Sequence, residues 1–227
     1  MYERAERAHG RFHANLTRIQ SMFGVAFTRD KNAHPNGSFN MEAASGDILR
    51  ATVVFLHAST EDYIRSHIPR PDRFTYTSEK DILKALRKNS YDSSSLAPFL
   101  PHLADLAERR NRIVHHADLP DTGTVSDWTG LDTADLTIWL IAVWGFSWQL
   151  LSVVTKPQIT FLERAEAFKS SLAKAVDFKT EFAKMIASAP IGGDQASAMD
   201  SRLIDIFLAA HPSRTPPELR HTSFSNP

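Results

Sequence analysis

Cysteine is absent from the 227 residues, which excludes structural disulfides, thiolate zinc sites and a cysteine nucleophile. An excess of one charge sign is also missing, with 26 Lys and Arg against 26 Asp and Glu. That balance argues against a broad electrostatic nucleic-acid surface but leaves room for a small basic patch that holds phosphates. No Gly-rich phosphate loop, nucleophile elbow or paired metal motif is found, and neither internal repeats nor strand alternation break the helical patterning. The first residues, "MYERAERAHGRFH", contain no apolar core segment, so a secretory signal is not expected and the expected location is cytoplasmic. The length suits one good-sized domain, or a domain with an appendage, whose core needs no covalent staple.

Long uncharged runs are confined to one stretch, "LTIWLIAVWGFSWQLLSVV" from Leu136 to Val154, about long enough to cross a bilayer. It also carries Gln149, Ser147, Ser152 and Thr137, and its tryptophans, Trp139, Trp144 and Trp148, are spread along it rather than gathered at the ends. A helix apolar all round is what the middle of a bundle requires. The expectation is therefore a buried central helix and no membrane contact.

The rest reads as helices. Phe12, Leu16, Ile19, Phe23 and Ala26 step by four and three and give a first helix of about 25 residues one apolar face, which "TRDKNAHPNGS" breaks. Asp47 is the expected cap of a second helix ending near Ile68, and "SEKDILKALRKN" reads as a shorter third with a serine cap. "SSSLAPFL" opens a fourth, Asp132 or Thr133 caps the apolar fifth, and Gln158 to about Ser188 forms a lysine-rich amphipathic sixth with Leu162, Phe168, Leu172, Phe178, Phe182 and Met185 near one side. The fold class is all-α, a bundle of about five to six helices with a C-terminal helical extension. The expected organisation is a helical domain over 1–155, an amphipathic helix packing on it over 156–190, and a linker, short helix and flexible tail over 191–227.

Chemistry concentrates in the fourth helix, in "ERRNRIVHHADLP" over 108–120. At 100° per residue, Leu103, Leu106, Ala107, Ile113, Val114 and Ala117 define an apolar stripe with Arg110 near its middle, and Asn111 and His115 share a flank. Arg109, Arg112 and His116 fall on the outer side. An inward guanidinium needs an acceptor. On the second helix, Arg50, His57, Glu61 and Arg65 form a polar stripe. Glu61 is the candidate acceptor, with Asp62 as the fallback; the competing reading is a solvent-facing Glu61–Arg65 pair one turn apart.

"RNRIVH", Arg110 through His115, resembles the R-N-x-x-x-H signature of the HEPN superfamily, small all-α proteins of RNA-cleaving toxins and phage-defence systems. "ILRATVVFLHASTEDYIRSHIP" with "LADLAERRNRIVHHAD" is similar to its RiboL-PSP-HEPN branch, in which an aliphatic helix ending in Glu-Asp-Tyr precedes the motif helix. The similarity covers roughly residues 1 to 155. It departs at Ala117, where toxin members often carry tyrosine. The same Arg-to-His spacing recurs from Arg29 to His34 in a Gly/Pro/Asn-rich loop, where it is discounted.

The resemblance implies a cofactor-free endoribonuclease in which an RNA 2′-hydroxyl attacks its own 3′-phosphodiester and leaves a 2′,3′-cyclic phosphate. Histidine suits the proton transfer, since the imidazole's unperturbed pKa is about 6.5. Arginine suits the phosphate, because its planar fork donates two hydrogen bonds and stays charged. The implied catalytic set is Arg110, Asn111 and His115, supported by Glu61, Asp62, Arg50, His57 and His116, with RNA as substrate. Because one chain supplies a single short cluster, the resemblance also implies a homodimer that brings two motif helices to one cleft, and an antitoxin or defence-system partner protein. The alternative is a catalytically silent HEPN-like module that binds RNA, nucleotide or protein. A metal held by His57 and Glu61 is discounted for want of a third ligand.

Overall fold

The computed structural model of the chain describes residues 2–31, 41–68, 78–116, 133–155 and 159–188, and residues 202, 203, 205, 206 and 209. The side chains of Phe23, Ala26, Asp47, His116, Phe182 and Met185 fall outside the described set, as do the expected linker and tail. The described residues are all-helical: α1 (Tyr2–Lys31), α2 (Met41–His67), α3 (Glu79–Lys88), a 3₁₀ turn (Ser94–Leu96), α4 (Leu100–His116), α5 (Thr133–Thr155) and α6 (Ile159–Ser188).

The boundaries follow local chemistry, with instructive departures. Ser78 is extended and accepts the backbone N–H of Asp81 at 3.2 Å, capping α3 as expected. Asp47, by contrast, lies inside α2: the helix-favouring "MEAAS" extends it about two turns upstream, so Asp47 is not its cap. "SSSLAPFL" does not open α4 directly, because the 3₁₀ turn and a further turn intervene before Leu100. α1 runs on through Lys31, into the stretch read as its break.

α5 is the centre. It packs against α1, α2, the 3₁₀ turn, α4 and α6, and from Leu136 through Ser147 every residue is buried. By length and composition this helix could span a membrane, but in this fold its surface is occupied by other helices. Its polar groups are accommodated: Ser152 and Thr155 hydroxyls donate to carbonyls one turn back, and the Trp139 indole donates to Asp105 Oδ2 on α4 at 2.8 Å. α6 covers one side through Ala165, Phe168, Leu172 and Ala175, whose three-four-three spacing gives a narrow apolar seam. Leu162, expected on that seam, is exposed. α1 lies antiparallel to α2, since Ala5 meets His67 while Phe12 stacks on Tyr63 with ring centroids 4.3 Å apart.

Candidate functional site at the end of the motif helix

Leu103, Leu106 and Ala107 bury the first half of α4 as its spacing predicts. Beyond them the stripe opens. Ile113 is only half-buried and Val114 is 46% exposed, so among the described residues nothing encloses the last turn. Arg110 is therefore half-buried rather than sunk in the core. Its desolvation cost falls accordingly, and a neutral partner suffices.

That partner is its neighbour. Arg110 Nη1 donates to Asn111 Oδ1 at 2.9 Å, while Glu61 takes Arg65 Nη2 at 2.5 Å, one turn along α2. The expected hydrogen-bonded pairing of Glu61 with Arg110 is replaced by the local one. An i,i+4 pair costs little to organise within a formed helix, whereas a cross-helix pair would need both long side chains fixed in one rotamer. Asp62 is exposed and away from any ion pair among the described residues, and Arg50 is half-buried.

α2 and α4 nevertheless bring their polar stripes together at His57. This residue is 5% exposed and lies within electrostatic reach of Glu61, Arg110 and Arg65. Burial is the main reason its pKa lies below the ordinary imidazole value; the Glu61 carboxylate opposes that effect, and the Arg110 and Arg65 guanidinium groups add to it. The cluster thus consists of a neutral buried histidine, an oriented guanidinium and a carboxylate engaged by a second arginine. His115 stands one turn beyond Asn111, exposed and with no hydrogen-bond partner among the described residues. The side chain of His116 lies outside the described set. Arg109 and Arg112, read as outer-face residues, are half-buried.

No three His, Asp or Glu side chains come together as a metal-binding group among the described residues. What the cluster can do is hold an anion. Arg110 retains donors beyond the one given to Asn111, and His115 is reachable from solvent at the same helix end.

A second polar assembly escapes the sequence reading altogether. At the junction of α1, α2, α5 and α6, Tyr63 Oη donates to the Ser147 carbonyl at 2.8 Å and sits 2.8 Å from His9 Nδ1. The hydroxyl's hydrogen is thereby used, so His9 Nδ1 carries the proton and donates to it. His9 Nε2 is left buried, unprotonated and without a hydrogen-bond partner among the described residues. The Trp144 indole donates to His13 Nδ1 at 3.2 Å, and His13 Nε2 lies 3.4 Å from Ser147 Oγ. His67 presents both ring nitrogens to carbonyls, of Tyr63 at 2.9 Å and Ala5 at 3.2 Å. Arg164 of α6 lies 4.6 Å above the Trp148 ring at the edge of the group.

Burial, then the positive potential of His13, His67 and Arg164, pushes His9 down to about 2. Burial also lowers His67, against the pull of its two carbonyls, and raises Tyr63. The sequence offered one signal for this network, His9 and His13 one turn apart flanking the apolar face of α1. Its partners come from residues 54 to 134 positions away.

Compared with known protein families, with curated proteins and with solved structures, the chain matches none. The HEPN resemblance accordingly rests on the motif residues and their helical setting.

Proposed function

We propose that this protein is a metal-independent endoribonuclease of toxin or phage-defence type, acting in the cytoplasm as a homodimer without a cofactor or membrane contact. The observation that carries the reading is the open end of α4, where Asn111 holds the Arg110 guanidinium at 2.9 Å and His115 projects from the next turn into solvent. In this proposal Arg110 grips the scissile phosphate and stabilises charge on its oxygens. His115 moves the proton of the attacking 2′-hydroxyl or of the leaving 5′-oxygen. Asn111 orients Arg110, and His57, Glu61 and Arg65 set the field behind it. A second copy packed across the exposed Val114 would bring another His115 to the same cleft, supplying the complementary acid or base. An antitoxin or defence-system protein would engage the same open end.

The test is cleavage of single-stranded RNA by the full chain in excess EDTA, with the product ends mapped. The expected ends are 2′,3′-cyclic phosphates. His115→Ala is expected to lower the chemical step by about 10²–10⁴, the usual cost of losing an acid–base group, and His116→Ala much less. Arg110→Lys is expected not to restore activity, since a point charge lacks the bidentate fork. Loss of cleavage in EDTA, or a larger effect at His116, would overturn the mechanism. One observation favours a second reading: no described residue orients His115 within a single chain. If the protein binds RNA and cuts none, a silent RNA-, nucleotide- or protein-binding module is the better account.

A further inference from the structure

Away from the motif helix, α1 carries arginine at positions 4, 7, 11 and 18. At 100° and 1.5 Å per residue, these four fall within an arc of about 60° along about 21 Å of helix. All four are exposed. Three cations elsewhere sit beside carboxylates, Arg65 with Glu61, Lys169 with Glu166 and Lys179 with Asp135. Among the described residues Arg4, Arg7, Arg11 and Arg18 have no such companion. Of the two acids in the same stretch, Glu6 is exposed and lies about 100° or more around the helix from each of them, while Glu3, whose side chain lies outside the described set, stands one turn before Arg7. A chain of zero formal net charge has thus gathered four arginines on one ridge, and Arg4, Arg11 and Arg18 have no acidic residue three or four positions away in the sequence.

We infer that this ridge is a docking surface for the phosphate backbone of a single-stranded nucleic acid, RNA in the setting proposed above. The charge is of one type and follows one line, with gaps of about 4.5, 6 and 10.5 Å along the helix. Arginine's planar fork takes phosphate oxygens in pairs, and a helical row of forks suits a partner whose charges also repeat along a line. A lipid surface fits less well, because a helix lying on a bilayer must insert apolar side chains. Among the described side chains, Phe12, Leu16 and Ile19 of α1 are spent in the core, and the exposed large apolar ones, Val114 and Leu162, belong to α4 and α6. The ridge reads no bases. Its contacts are phosphate contacts, which hold and orient a strand without sequence information.

The inference stands independently of cleavage, so it is tested in the His115→Ala chain, where binding is read without turnover. A fluorescently labelled single-stranded RNA is titrated by anisotropy at several salt concentrations. With four phosphates neutralised by the ridge, its share of the log–log salt slope is about −2.8, and the triple change Arg7→Gln, Arg11→Gln, Arg18→Gln is expected to flatten the slope by about 2. Arg7→Gln alone should flatten it by about 0.7, which keeps the test usable if the triple variant melts early. Replacing the three by lysine should preserve the slope while weakening binding. Identical slopes with and without the ridge arginines would overturn the inference, and so would ridge-dependent binding to phosphatidylserine vesicles or a polyglutamate peptide in the absence of RNA binding. Ridge-dependent binding without RNA cleavage by the unaltered chain would leave the ridge standing and remove the nuclease reading. Cleavage with ridge-independent binding would do the reverse.

Discussion

Acidification should unlatch α1 from the rest of the bundle, and His9 sets how steeply. In the folded protein this ring is neutral, with its pKa held at about 2 chiefly by burial; in the unfolded chain it titrates near the ordinary histidine value of about 6.5. A proton on Nε2 would be buried with no acceptor among the described residues, on a ring whose centroid lies 4.1 Å from that of His13. The sign follows from proton counting. Between pH 6.5 and 2 the unfolded chain binds one more proton at this residue than the folded one, so its contribution is complete above pH 6.5 and falls as the pH drops. The slope is about 1.4 kcal/mol per pH unit, so moving from pH 6.5 to 4.5 removes roughly 2 to 3 kcal/mol through His9 alone, a large share of the roughly 5–15 kcal/mol typical of a domain. His57, His67 and His102, all lowered mainly by burial, act in the same direction. Urea unfolding followed by circular dichroism, in half-unit steps from pH 7 to 4.5 at constant ionic strength, measures the dependence. Comparison with His9→Gln isolates one residue. Whatever stability the variant starts from, its curve should be flatter by about one proton. Parallel curves for the two proteins would refute the neutral, buried assignment of His9.

Two further outcomes are expected. Gly145→Ala should destabilise the protein by about 1–3 kcal/mol despite alanine's better helix propensity: the added Cβ would stand 2.8 Å from Phe99 Cζ and 2.9 Å from Phe168 Cβ, and closer still to Phe99 Cε1, and both rings are fully buried. An unchanged or raised melting temperature would show that the α5–α6 seam has more room than this geometry allows. In sedimentation at micromolar concentration the chain should run as a dimer, and Val114→Glu, which charges an exposed position beside His115, should shift it toward monomer; a monomeric parent protein would remove the composite cleft.

What the sequence determined by itself is local. The three-four spacing of α1 placed Phe12, Leu16 and Ile19 on the face that is buried, a serine followed by acidic residues marked the start of α3, and a run of apolar residues from Leu136 marked the helix that other helices surround. Each of these depends on a period or a cap contained within one turn or two. The i,i+4 pair of Glu61 with Arg65 is of the same kind and was legible as the competing reading. Tertiary structure decided the rest. Spacing assigns Ile113 and Val114 to an apolar stripe but cannot say where the neighbouring helices stop, and here they leave Val114 open to solvent, so that the inward-read Arg110 is half-buried and bonded to Asn111 rather than to Glu61. His9, Tyr63, His67 and Ser147 meet only because α1 and α2 run antiparallel in one register with α5 alongside. A histidine becomes a buried neutral base or a solvated side chain according to what packs over it, and that is set by helices far away in the chain.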